Sequence, residues 1–100
     1  MPENPLSTIQ KIDPELVQHA LSANDWAFSD GALPRKTKLL IALAYDAAQG
    51  AADGVAALAR QAVSAGASKE EIGEALRVAF VLGGFGSVYV GAEGLKDLFR

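Results

Sequence analysis

Apolar residues recur at helical spacing along most of this chain. Between positions 53 and 65 they fall on Val55, Leu58, Ala59, Ala62 and Val63, a stripe with a 3.6-residue period. From Lys69 to about Leu82 they fall on Ile72, Ala75, Leu76, Ala79 and Phe80. Start and stop signals bracket these stripes. Asp13, Pro14 and Glu15 open a helix that runs to about Phe28, where "SDGALP" breaks it. Pro34 opens a second, "PRKTKLLIALAYDAAQ", which Gly50 stops. Gly66 ends the third, and "SKEE" forms a capping box with Ser68 as N-cap and Glu71 at N3. "GGFG", Gly83 to Gly86, marks a break before a last helix from about Ser87 to Leu98. No window alternates in the way a strand does. The pattern predicts an all-α fold of about five helices. The second and third should form an antiparallel hairpin through Gly50.

Pro2 and Pro5 lie in a first dozen residues that lack a strong stripe, so 1–12 reads as a flexible N-terminal arm and 13–100 as one helical domain. Half of the 100 residues are hydrophobic. A chain this short buries only part of its surface alone, so some apolar surface is expected to be covered by a partner. "VAFVLGGFGSVYVGAEGLKDLF" is apolar on nearly all sides of two consecutive helices and is where that partner should sit.

Charge and composition narrow the function. The net charge of -3 leaves no basic footprint for nucleic acid. The longest uncharged run, Val78 to Ala92, is too short and too rich in glycine to span a membrane. "MPENPLSTIQ" has no apolar stretch behind a basic start, so a cytoplasmic protein is expected. There is no cysteine, which excludes thiolate catalysis and zinc–thiolate sites. The single histidine, His19, cannot build a multi-histidine metal site within one chain, and no metal or cofactor is expected.

"LPRKTKLLIALAYDAAQGAADGVAALARQAVSAGASKEEIGEALRVAFVLGGFGSVYVGAEGL" resembles the carboxymuconolactone decarboxylase family, which includes the alkylhydroperoxidase D-like proteins. The order of "LLIALA", "QGAADG" and "AGASKEEIGEALRVAF" carries the resemblance. It implies an alkylhydroperoxidase D-like helical fold and a homo-oligomer, a trimer or hexamer. The thiol branch of the family looks like Glu-x11-Cys-x2-Cys-x3-His. Anchored on Gly-Ala-Ser, those positions fall on Leu39, Ala51, Gly54 and Leu58. The decarboxylase branch keeps a histidine at the Leu58 position, and that too is replaced. A dithiol peroxidase needs a thiolate and a resolving thiol, and leucine at 58 moves no proton.

The remaining polar candidates are weak ones. Asp46 lies two turns after Leu39 on the same helix face and could bring a displaced carboxylate to the old pocket; a solvated or intersubunit-paired aspartate is the ordinary reading. Asp53 begins a helix, where its charge suits the macrodipole. Tyr45 reads as a packing residue with its hydroxyl at a surface, Tyr89 as core or interface packing that could also face the pocket or a subunit boundary, His19 as a partly buried polar residue, and Trp26 and Phe28 as core anchors. Arg35, Lys36 and Lys38 crowd the first turns of a helix against its dipole, which points to an acidic neighbour or an anionic ligand; a solvated patch is the ordinary reading. Three functions fit these residues. The leading one is a non-redox oligomer binding a small ligand. The others are a cryptic enzyme using Asp46, Asp53, Tyr45 or His19 for proton transfer, and a structural interaction module.

Overall fold

In a computed structural model describing residues 4–99, the chain forms six helices, and no strand occurs among the described residues. They are α1 (Leu6–Ile12), α2 (Pro14–Phe28), α3 (Arg35–Gln49), α4 (Ala52–Ser64), α5 (Lys69–Gly83) and α6 (Gly86–Leu95). The count is six rather than five because α1 lies within the segment read as a loose arm. Pro5 is its N-cap rather than a breaker, and Asn4 Oδ1 accepts from the Leu6 N–H at 3.0 Å. Residues 1–3 of that arm and Arg100 lie outside the described residues.

The predicted stops and starts operate through specific hydrogen bonds. Asp13 Oδ1 accepts from the Leu16 N–H at 3.1 Å and caps α2. Gly50 takes the left-handed conformation, φ 84°, and the Ala51 N–H reaches back to Asp46 O at 2.8 Å. That bond satisfies an orphan carbonyl at the end of α3 and turns the chain sharply into α4. Gly66 repeats the device after α4, with the Ala67 N–H on Ala62 O at 2.9 Å. Ser68 and Glu71 make the reciprocal capping box at 3.1 and 2.9 Å. Glu71 also meets Lys36 at 3.0 Å. The Ser68 backbone N–H, and then Lys36, hold the Glu71 carboxyl below its ordinary value.

The cationic start of α3 is answered mostly by α2. Lys38 Nζ donates to Ser29 O at 2.7 Å, and Arg35 donates to Phe28 O at 3.4 Å. These carbonyls belong to the end of α2, the negative end of its dipole. Asp30 Oδ1 accepts from the Arg35 N–H at 2.6 Å, standing in for a side-chain cap that Pro34 cannot supply. The charges therefore offset one another across the α2–α3 junction, and no ligand is required to explain them.

The core lies among α3 to α6. Leu39, Leu43, Val55 and Ile72 are its largest fully buried side chains, each contributing about 1.5–3 kcal/mol by leaving water. Where alanine and glycine face inward, helices come close. A side chain added at Gly94 of α6 would come within 2.7 Å of Val55 Cβ and 2.8 Å of Ala52 O. Helices α1 and α2 stand to one side and bury only Val17. The radius of gyration, 14.4 Å, exceeds the ~13 Å of a compact chain of this length accordingly.

Two expected packings are corrected. Trp26 is 82 % exposed, not a core anchor. It follows Val17 by nine residues, which puts it about 180° round the helix from the buried side. Phe28, eleven residues on, returns to that side and packs on the core. On α4 the buried line is Val55, Ala59 and Ala62, while Val63 turns outward and is exposed.

Candidate functional site

The four positions of the lost motif fall on both helices of the α3–α4 hairpin. Leu39 is 1 % exposed and belongs to the core, and Leu58 packs against that core from α4. Ala51 is the N-cap of α4, and Gly54 lies in its first turn. Two of the four positions thus carry leucines that pack in or on the core.

Asp46 lies in this region. It stands four residues before Gly50, and Gly54 stands four after, so the hairpin brings the two face to face. A Cβ placed on Gly54 would sit inside contact distance of Asp46 Oδ2 and 2.9 Å from its Cγ. The carboxylate thus occupies the room that a side chain at 54 would need. It also lies against the first turn of α4, where the macrodipole favours negative charge.

This packing makes a sharp prediction. Alanine at a helical glycine normally gains about 1 kcal/mol. Gly54→Ala alone should instead be neutral or destabilising, because Asp46 must swing away. In an Asp46→Ala background the same change should stabilise. A coupling of about 1–2 kcal/mol is expected from urea unfolding of the four proteins. Additive effects would mean that Asp46 does not occupy this space.

Beyond Gly54, Asp46 borders a groove of about 410 Å³ between α2 and α3. Ala27, Phe28, Ile41 and Ala42 make its apolar surface, and Lys38, Tyr45 and Asp46 supply polar groups. Tyr45 is 64 % exposed and also borders a second groove, about 500 Å³, between α3 and α5. Leu39 and Leu58 line neither, because their side chains turn into the core. Asp53 and His19 are exposed and do not border these grooves, so the four acid–base candidates do not form one constellation. His19 was expected to be partly buried; it lies on the open side of a helix that buries only Val17.

Lys38, Phe28 and Ile41 also border this groove, which the sequence reading, centred on Leu39 and Leu58, does not anticipate. The signal was readable. Positions 38, 41, 42, 45 and 46 are spaced to share one helix face, and its polar ends flank an apolar middle. Chemically, the groove offers a carboxylate and a phenol as hydrogen-bonding groups over an apolar floor. The Lys38 ammonium is already engaged by Ser29 O. Among the described residues no group of three or more His, Cys, Asp or Glu side chains could hold a metal ion, and no helix is long and apolar enough to cross a membrane.

The architecture has a solved counterpart. It matches a crystal structure of an apo carboxymuconolactone decarboxylase family protein from Legionella pneumophila with a TM-score of 0.84 and 35 % sequence identity. The match covers 91 % of this chain and 81 % of that one. No curated protein matches. The model of the carboxymuconolactone decarboxylase family matches residues 14–96, from the first residue of α2 to just past α6. With its hairpin, capping pattern and helix order in place, this chain belongs to the carboxymuconolactone decarboxylase family.

Proposed function

We propose that this protein is a non-redox member of its family, a cytoplasmic homo-oligomer that binds a small, largely apolar ligand in the groove between α2 and α3. The observation that carries the reading is Asp46. It packs over Gly54, one of the motif positions, and at the same time borders an open apolar groove beside Tyr45. A ligand with a hydroxyl or amine donor at one end of an apolar body suits that lining. The protein's role would be to hold such a molecule, since neither a thiol nor a histidine stands at the motif positions.

The burial of Leu39 and the packing of Leu58 on the core favour a second reading, a structural interaction module with no ligand. One experiment separates the two. Small apolar alcohols and amines are titrated into the isotopically labelled protein and followed by NMR. The ligand reading expects saturable shifts at Ala42, Tyr45 and Asp46, weakened about tenfold or more by Asp46→Asn. Shifts absent from those residues across the series would leave the structural module. In the same preparation, peroxide consumption with a dithiol reductant should not exceed that of denatured protein. Stoichiometric, dithiol-dependent turnover would overturn the non-redox reading.

A further inference from the structure

Another concavity lies at the open end of the hairpin, away from Gly50. Its volume is about 390 Å³, and it is bordered by Arg35 at the start of α3 and by Arg60, Gln61, Ser64 and Ala65 at the end of α4. No acidic side chain lines it. Arg35 is held in place: one guanidinium nitrogen donates to Phe28 O, and the other donates to Gln61 Oε1 at 3.1 Å. That second bond uses the Gln61 carbonyl oxygen and leaves its amide nitrogen as a donor.

Three of the backbone acceptors nearby are occupied. Gln61 O, Ala62 O and Val63 O all accept from the turn at Ala65 to Ala67. Arg60 has no hydrogen bond or ion pair among the described residues. Asp53 is the one other charged residue of α4, and it lies two turns away. The concavity therefore presents two permanent cations, an amide and a hydroxyl, and no carboxylate. This happens on a chain whose net charge is -3. A fixed guanidinium fork beside a free one is the arrangement that takes planar or tetrahedral oxyanions through paired bonds.

We infer that this concavity binds a small oxyanion group, a phosphate or a carboxylate, held by Arg60 and Arg35 with Gln61 and Ser64 assisting. The site is separate from the α2–α3 groove and does not depend on the ligand proposed there.

The test is an NMR titration of the wild-type protein with inorganic phosphate and, in a second arm, with acetate, at ionic strength kept constant with chloride. Saturable shifts at Arg60, Gln61, Ser64 and the Arg35 guanidinium are expected, with dissociation constants of roughly millimolar order. The stronger of the two arms identifies the oxyanion. Arg60→Gln should weaken binding about tenfold, and Arg60→Lys, which keeps the charge and loses the fork, should fall between. Lys96→Gln, at a lysine paired with Glu93, should change nothing. Arg60 is exposed, so these variants are expected to fold. Equal shifts with chloride alone, or equal affinity in wild type and Arg60→Gln, would overturn the assignment.

Discussion

Leu39→Glu puts a glutamate at the position where the family resemblance would place one, and it is expected to cost about 4 kcal/mol or more at pH 8. Two losses add. The leucine gives up its transfer from water, and a carboxylate enters a site that is 1 % exposed beside Leu43 in the core. Arg35, one turn earlier on α3, is not free to rescue it, because its guanidinium already bonds to Phe28 O and Gln61 Oε1. Burial raises the pKa of the new carboxyl in the folded state. Ionisation then favours the unfolded chain, so the variant loses stability as pH climbs from the ordinary carboxylate range through that raised value. Urea unfolding at pH 5 and pH 8 should show the larger deficit at pH 8. Since whole domains are stable by only about 5–15 kcal/mol, the variant could unfold outright. Leu39→Met is therefore the companion, expected to cost less than about 1.5 kcal/mol. A loss below about 1 kcal/mol for Leu39→Glu, at both pH values, would show that position 39 still admits a carboxylate. The motif pocket would then be open, and acid–base chemistry there would return as a reading.

That dependence on burial explains which features the sequence made legible. Caps and stops act within a few residues, so Asp13 with Pro14, Gly50, Gly66 and the Ser68–Glu71 box could be read directly, and each works as expected. Helix α1 is not legible in the sequence because its signals are ambiguous. Pro5 can break or begin a helix, and α1 buries no residue that would leave a stripe. Trp26 lies opposite Val17 on α2, so its angular position, not its aromatic character, decides that it faces solvent. The loss of the thiol motif is visible as residue identity. What fills the vacated space is visible only across the turn, in the pairing of Asp46 with Gly54. Their equal distance from Gly50 hinted at it, but whether the carboxylate points inward depends on how closely α3 and α4 pack.

Leu82→Lys should convert the protein from an oligomer to a monomer at micromolar concentration, on the proposed homo-oligomeric assembly. The last turns of α5 and the start of α6 leave a dense apolar surface uncovered. Val81 and Leu82 are 80 % and 79 % exposed, with Val78, Phe85 and Tyr89 also open to solvent. Phe85 bridges Phe80 and Tyr89 through edge-on ring contacts with centroids 6.0 and 5.6 Å apart. The rings thus present an ordered face, and a patch of this kind marks an association site. A second copy is the occupant that requires no other molecule, and closed symmetry would cover the same face on every subunit. Putting an ammonium at position 82 removes about 2 kcal/mol of apolar burial and adds the cost of desolvating a charge. A loss of at least ~3 kcal/mol per subunit contact weakens it by roughly a hundredfold or more. Light scattering during size-exclusion chromatography reads the outcome. The wild type should run at three or six chain masses, and Leu82→Lys at one with its helical circular dichroism intact. Val88→Lys, at an exposed position on α6, should act in the same direction. Val90 is packed against the core, so lysine there would test folding rather than association. A wild-type mass of one chain throughout a dilution series would end the oligomer reading, and an intact oligomer in both exposed variants would move the interface to another face.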